Sequence, residues 1–307
     1  VQVAHILTPP PTHAAVLREL LELGIGALVE KPFALSSEEA RELAALAAQR
    51  QLPLGVNHNH RCHPAFTRLE ARLKAGHIGK LKHVQATWSM PLGQLDAGRL
   101  DDWMLRAPKN IIFEQGPHPL SQVHALCGRL TGGEAGPLSS IDLAPSQTFH
   151  PRFSGALIGE HATAEVSLGF GQDFECSRLV AIGTDGSLEA DFIHDTLTCE
   201  RKSPWLPFFN GFLVSTSRSV GHLASGIQGA VSYLLAAIGL GQRKDSWFAS
   251  MRASIQGFHQ AVREGSKLPV SAEEAAEVLE WCESFTEGLS AEPGRAANSW
   301  SEAPLRE

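Results

Sequence analysis

The first 57 residues alternate between short apolar blocks and stretches with helical spacing. Val3 to Leu7 is an apolar run closed by Thr8-Pro9-Pro10-Pro11-Thr12, as expected of a buried strand, because proline has no N–H for a ladder. Thr12 is placed to cap the helix that follows, where Val16, Leu17, Leu20, Leu21 and Leu23 share one face over 13–23. Gly24 and Gly26 end that helix, and Ala27-Leu28-Val29 is a second short strand. Ser36-Ser37-Glu38-Glu39 opens another helix, with acidic residues in its first turn, which runs to Gln49. Leu54-Gly55-Val56-Asn57 is a third strand. Strand and helix in strict alternation, with short links, indicate parallel βαβ units of a doubly wound sheet.

The pattern changes past residue 80. Residues 83–89 and 162–168 alternate apolar and polar, as strands with one covered face do. Residues 179–182 and 187–190 flank the turn Gly183-Thr184-Asp185-Gly186, and 196–199 follow. These predict an open, mainly antiparallel sheet. Helical patterns cover 246–264 and 271–287, and the Pro-, Gly-, Ser- and Glu-containing tail 291–307 is expected to be disordered. Between Ser219 and Gln242 there is no Asp, Glu, Lys or Arg, a length that could span a bilayer. Yet Val220, Leu223, Ile227, Val231, Leu234 and Ile238 step by three or four, which is a stripe. The stripe and His222 favour a helix covered by the chain's own sheet or a second subunit over a membrane-surface helix or a span.

Composition narrows the class. The chain has 307 residues, a length that suggests about two domains. Hydrophobic residues make up 43 %, enough for a sizeable core and against a disordered chain. Lys plus Arg number 26 against 33 Asp plus Glu, with no basic run, so nucleic acid is not an expected partner. The five cysteines form no C-x-x-C pair, which argues against a disulfide framework and a structural zinc and fits a reducing, cytoplasmic setting. The first residues carry no basic leader.

Three groups of residues could carry chemistry. Lys31, within Glu30-Lys31-Pro32, follows the second strand, where doubly wound folds bind ligands, and a cis bond before Pro32 would fix the turn. Glu114 and His118 stand four apart; on one helix they would share a face, and the carboxylate would hold the imidazole's tautomer and raise its pKa. His58, Asn59, His60, Arg61 and His63 follow the third strand. Their spacing and the lack of an adjacent acidic ligand argue for a polar cleft wall rather than a metal site. No glycine motif stands between a strand and a helix as a dinucleotide fingerprint requires, and no G-x-S-x-G is present.

Together these residues resemble the Gfo/Idh/MocA family, the glucose–fructose oxidoreductase and inositol dehydrogenase group. The likeness rests on Thr8-Pro9-Pro10 with His13, on Glu30-Lys31-Pro32, on Gly116-x-His118, on the 183–188 turn and on Val270-Ser271-Ala272-Glu273-Glu274. It implies a partial Rossmann sheet followed by an open-sheet domain. Residues 1–80 would be the C-terminal part of the dinucleotide-binding domain, 81–290 an α+β substrate and oligomerisation domain, and 291–307 a tail. It implies Lys31 and His118 as the catalytic pair with Glu114 beside them. Thr8, Pro9, His13, Glu30, Lys31 and Pro32 would lie against NAD or NADP, and His58, Asn59 and Arg61 against substrate. Three features depart from the family pattern: Glu114 stands for its usual Asp, Ser121 for a second Asp, and Lys109-Asn110 for its glycines. The family's first strand and G-x-G-x-x-G turn have no counterpart here, so the chain is expected to be a truncated member.

The expected function is therefore a nicotinamide-dependent oxidoreductase on a sugar, sugar-nucleotide or cyclitol hydroxyl. Such a protein would be a homo-oligomer through the open sheet. A non-catalytic binding or regulatory protein on the same fold, or a redox-neutral NAD-using hydrolase or lyase, is the alternative.

Overall fold

The computed structural model describes residues 3–145, 147–202, 206–240, 245–287 and 289. The tail 291–307 lies outside the described residues.

The first layer is a parallel three-stranded sheet in the order β1 (Val3–Ile6), β2 (Gly26–Glu30), β3 (Leu54–Asn57). Ala27 and Val29 on β2 are fully buried, as a parallel strand with both faces covered requires. Helices α1 (Pro10–Glu22) and α2 (Ser37–Gln49) make the crossovers. The α1 boundary corrects the expected one. The helix starts at Pro10 with Pro9 as its cap residue, and Thr12 lies inside the first turn, its hydroxyl donating to Pro9 O at 2.8 Å. Proline fits the first turn because its missing N–H would have had no helical partner. α2 starts as its sequence indicates, with Ser36 Oγ accepting from Glu39 N at 3.1 Å.

A 3-10 turn (Asn59–Cys62) and helix α3 (Pro64–Lys74) lead to β4 (Leu81–Met90). Short helices α4 (Gly93–Asp96), α5 (Trp103–Arg106) and α6 (Asn110–Gln115) precede α7 (Pro117–Cys127). The strands that follow are β5 (Leu130–Ala144), β6 (Gln147–Gly159), β7 (Thr163–Phe170), β8 (Cys176–Gly183), β9 (Gly186–Asp191) and β10 (Thr196–Arg201). They form a seven-stranded sheet, β10-β9-β8-β4-β7-β6-β5, antiparallel except for the β4–β7 pair. Its inner face buries Val84, Ala86 and Trp88 of β4 and Val166 and Leu168 of β7, while Gln85, Thr87 and Glu165 face out. The long hairpin β5–β6 has no clear period in its sequence: Gly132-Gly133, Gly136-Pro137 and repeated register shifts break the alternation. Pairing along the sheet edge, not local pattern, makes these residues strands.

The last helices are α8 (Pro207–Ala237), α9 (Ser246–Glu264) and α10 (Ala272–Thr286). α10 opens on a reciprocal capping box between Ser271 and Glu274 and returns to the first layer. Ala275, Ala276 and Leu279 enter the core of the parallel sheet, and Trp281, Cys282 and Phe285 that of the large sheet. Glu283 accepts from Ser37 N at 2.7 Å and from Ser37 Oγ at 2.5 Å, which pins α2 to α10.

Of the two covers expected for the 219–242 stripe, the chain's own sheet or a second subunit, the chain's own sheet does not supply one. Val220, Leu223, Ile227, Val231, Leu234 and Ile238 are 48–67 % exposed on α8; 241 and 242 lie outside the described residues. The helix meets the body at β10, where Arg218 bonds Glu200 at 2.8 Å. Among the described residues no helix is long and apolar enough to cross a membrane.

Candidate active site

The carboxyl ends of the parallel strands open toward α6 and α7. Lys31 follows the last residue of β2, and the Lys31–Pro32 peptide is cis. Pro32 O meets His13 Nδ1 at 2.8 Å, and the other ring nitrogen of His13 meets Thr8 O at 2.5 Å. The buried His13 thus ties the loop after β1 to the loop after β2. Thr8 and Pro9 are exposed beside it. Glu30 Oε1 accepts from Asn57 Nδ2 at 2.6 Å, and Asn57 Oδ1 accepts from Ser254 of α9, also at 2.6 Å.

Lys31 Nζ reaches across to α6. It donates to Glu114 O at 2.8 Å and to Glu114 Oε1 at 2.5 Å, with the lysine side chain 12 % and the glutamate 21 % exposed. Here the expected pairing is corrected. Glu114 lies in the last turn of α6 and His118 in the first turn of α7, with Gly116 between them, and His118 Nδ1 is buried without a partner. The carboxylate serves Lys31 instead. Gly116 is required at this junction, because a Cβ there would come within 2.5 Å of Ile112 O.

His118 packs its ring on Trp88 with centroids 5.3 Å apart, and on His60 at 4.3 Å. His60 meets the edge of Trp88 at 5.1 Å, and Nδ1 of His58, His60 and His118 are buried without a partner. A fourth imidazole, His63, accepts from Ala65 N through Nδ1 at 3.1 Å and packs on the edge of Phe192 at 5.1 Å. Burial, with the charges of His60, Lys31 and His58, holds His118 well below the ordinary histidine value, the reverse of the expected rise. Burial, then repulsion from His63 and Lys31, pushes His60 down to about 3. Burial, then Arg61 and Lys31, does the same to His58, also to about 3. At neutral pH these rings are uncharged and each keeps one nitrogen free to accept a proton.

A cavity of about 330 Å³ opens in front of them, with His60, Trp88, Gln115, His118, Phe192 and Trp247 among its walls. His63 also borders it, whereas His58, Asn59 and Arg61 do not. His58 and Asn59 are buried, Asn59 Nδ2 bonds Ser250 Oγ at 3.0 Å, and Arg61 lies over the Phe66 ring at 5.9 Å. They support the wall from beneath. Trp88, Gln115, Glu175, Phe192 and Trp247 were not singled out by their sequence. Trp88 sits in an alternating strand like any core residue, and the others come from separate loops and helix ends. No group of three or more His, Cys, Asp or Glu that could hold a metal converges among the described residues.

Residues 1–58 match the oxidoreductase family with an NAD-binding Rossmann fold, Gfo/Idh/MocA. A stretch of 122 residues is 42 % identical to a UDP-N-acetylglucosamine 3-dehydrogenase of Acidithiobacillus ferrooxidans, covering 39 % of this chain and 38 % of that one. A stretch of 74 residues is 34 % identical to a D-apiose dehydrogenase of Paraburkholderia graminis, covering 24 % of this chain and 20 % of that one. The chain thus matches well under half the length of these curated relatives. An inositol dehydrogenase homolog of Azotobacter vinelandii, solved with NAD+, superposes with a TM-score of 0.68 over 94 % of this chain and 76 % of that chain at 17 % identity. That likeness extends the shared fold to both layers.

Proposed function

We propose that this chain, whose residues 1–58 match the Gfo/Idh/MocA oxidoreductase family, supplies the substrate side and the nicotinamide end of a dehydrogenase acting on a sugar, sugar-nucleotide or cyclitol hydroxyl. The observation that carries this reading is an uncharged His118 on the cavity wall, close enough to Lys31 to feel its charge, with Lys31 held in turn by Glu114. A neutral imidazole accepts a proton from a hydroxyl as that hydroxyl becomes a carbonyl. Lys31 donates to the same oxygen and orients it, and Glu114 holds the ammonium in place as a positioning residue. The nicotinamide, when bound, supplies the acceptor for the hydride that leaves the carbinol carbon.

The cofactor side fits in part. Thr8, Pro9, His13, Glu30, Lys31 and Pro32 gather at the carboxyl ends of β1 and β2, where dinucleotides lie in doubly wound sheets. The buried nitrogens of His118 and His60 lack partners that a ligand would supply. A glycine loop for the pyrophosphate is not encoded in these 307 residues. The two curated relatives named above are dehydrogenases of a sugar and of a sugar nucleotide, which supports the substrate class. NAD or NADP is the proposed cofactor, supported by the NAD-binding family match. We place residues 1–80 on the cofactor side and 81–290 on the substrate side. A cytoplasmic homo-oligomer joined through the open sheet is also proposed; five free cysteines and the exposed outer face support it.

In the full-length protein, His118→Ala or Lys31→Ala should lower kcat by about 100-fold or more, the scale of a positioned acid–base group. Cofactor reduction against a panel of sugars and cyclitols reads this directly. Near-wild-type turnover in both variants would remove the assignment.

A further inference from the structure

The apolar seam on α8 has the geometry of half an interface. Counted from Leu213 to the cap residue Ile238, its members step by 3, 4, 3, 4, 4, 3 and 4 residues. That spacing keeps one line of side chains against a facing helix, with a single stutter between Ile227 and Val231. Every apolar member is exposed. The one polar member, Thr216, donates its hydroxyl to Phe212 O at 2.8 Å, so covering it leaves no polar group orphaned. The seam faces away from the body. Arg218 stands two positions from both Thr216 and Val220, about 160° round the helix, and it is Arg218 that bonds Glu200 and, with Gly221, faces Arg72 and β10 across a narrow cleft.

Charge and size say what covers the seam. Over 207–240 the only Asp, Glu, Lys or Arg is Arg218, and Glu200 already holds it. A helix laid on an anionic lipid surface carries Lys and Arg along its polar face, and α8 has no such row. A foreign helix chosen by charge needs charged residues beside the seam, and there are none to read. A second copy of α8 needs neither, because a neutral seam meets itself about a two-fold axis without bringing like charges together. The segment 290–307, outside the described residues, has only Trp300 and Leu305 as large apolar residues, too few for a seam of this length. The 31 residues of α8 make a helix about 46 Å long and about 10 Å across, so pairing two copies removes about 900 Å² from water. That is below the roughly 1,200 Å² at which stable interfaces begin, so the pair is reversible, apart at nanomolar and joined at micromolar concentration.

We propose that α8 is a self-association helix: two copies of the chain pair seam to seam along it, about a two-fold axis, on a surface separate from the open sheet.

Sedimentation velocity on the full-length protein, from nanomolar to high micromolar concentration, tests this. The wild type should double its mass across that range. Ile227→Asp puts an unpaired carboxylate into the seam and should weaken pairing about 30-fold or more. Val231→Lys, of opposite charge, should do the same. His222→Asp adds the same charge as Ile227→Asp on the far face of the helix and should leave pairing unchanged. All three positions are exposed, so the variants should fold, which circular dichroism checks. Association through the open sheet persists in the seam variants and is told apart by that. Equal self-association in the wild type, Ile227→Asp and Val231→Lys would overturn the proposal, and so would a wild type that never doubles. Flotation of that undoubled protein with phosphatidylserine vesicles, lost in Ile227→Asp, would give the seam to a lipid surface instead. Arg243 and Lys244, which follow in sequence outside the described residues, are the reason for the vesicle arm. Any of these failures leaves the dehydrogenase reading untouched.

Discussion

Helices α8 and α10 have nearly the same apolar content, 16 of 31 residues and 8 of 15. They end in opposite environments. α10 is buried along its length and fills both cores, while on α8 Phe209, Phe212, Val220, Leu223, Ile227, Val231 and Leu234 face solvent. Polar placement makes the difference. α10 carries Glu274, Glu277, Glu280 and Glu283, which bond Lys267, His124, Arg41 and Ser37 in turn. Each of these contacts fixes which face points inward. Between Pro207 and Ala237 the only Asp, Glu, Lys or Arg is Arg218, and its ion pair with Glu200 is the one salt bridge found on α8 among the described residues. Apolar content shows that surface must be covered somewhere, and the polar anchors show where.

The comparison is broken most severely at Trp281. Its side chain is fully buried where α10 joins the two layers, so Trp281→Ala should cost about 3–5 kcal/mol by leaving a cavity. Denaturant unfolding measures this, and a loss near zero would mean that α10 does not clamp the molecule.

Acid probes the same clamped region. His58 and His60 have native values pushed to about 3, and His118 is also lowered. In the unfolded chain each returns to about 6.5. The unfolded state then binds more protons below that value, so the stability from keeping the rings neutral is full above about pH 6.5 and is lost as pH falls toward 3. One ring shifted from 6.5 to about 3 alone contributes about 3 kcal/mol between pH 6.5 and 4. Thermal melts across that range should fall steeply in the wild type and less steeply in His60→Phe. Parallel slopes would remove the cluster from the account.

The mildest change sharpens the contrast. Ile227 on α8 is 56 % exposed, so at nanomolar concentration, with the α8 pair apart, Ile227→Asp should alter unfolding stability by no more than about 0.5 kcal/mol. A large drop would show that α8 is packed against something the single chain does not contain.

Much of the first layer was readable because parallel strands and amphipathic helices have strong local periods. β3 and the start of α2 fall where the apolar runs and the Ser-Ser-Glu-Glu cap put them. The positions of Lys31 after β2 and of His118 in the first turn of α7 were legible for a different reason, since each sits in a short motif at an element end. Less was readable where chemistry depends on neighbours distant in sequence. Glu114 sits four residues from His118 and pairs instead with Lys31, 83 residues away, because the loop after β2 comes to lie against α6.

The sequence by itself determined the alternation of strands and helices, the caps of α2 and α10, and the presence of a lysine and a histidine at strand and helix ends. These follow from contacts within a few residues, which spacing and residue type encode. The tertiary structure alone decided that His60 and Trp88 flank His118, that Glu175 and Trp247 border the cavity, and that α10 rather than α8 enters the core. Those outcomes depend on which surfaces meet after the chain has turned back on itself, and no local period records that meeting.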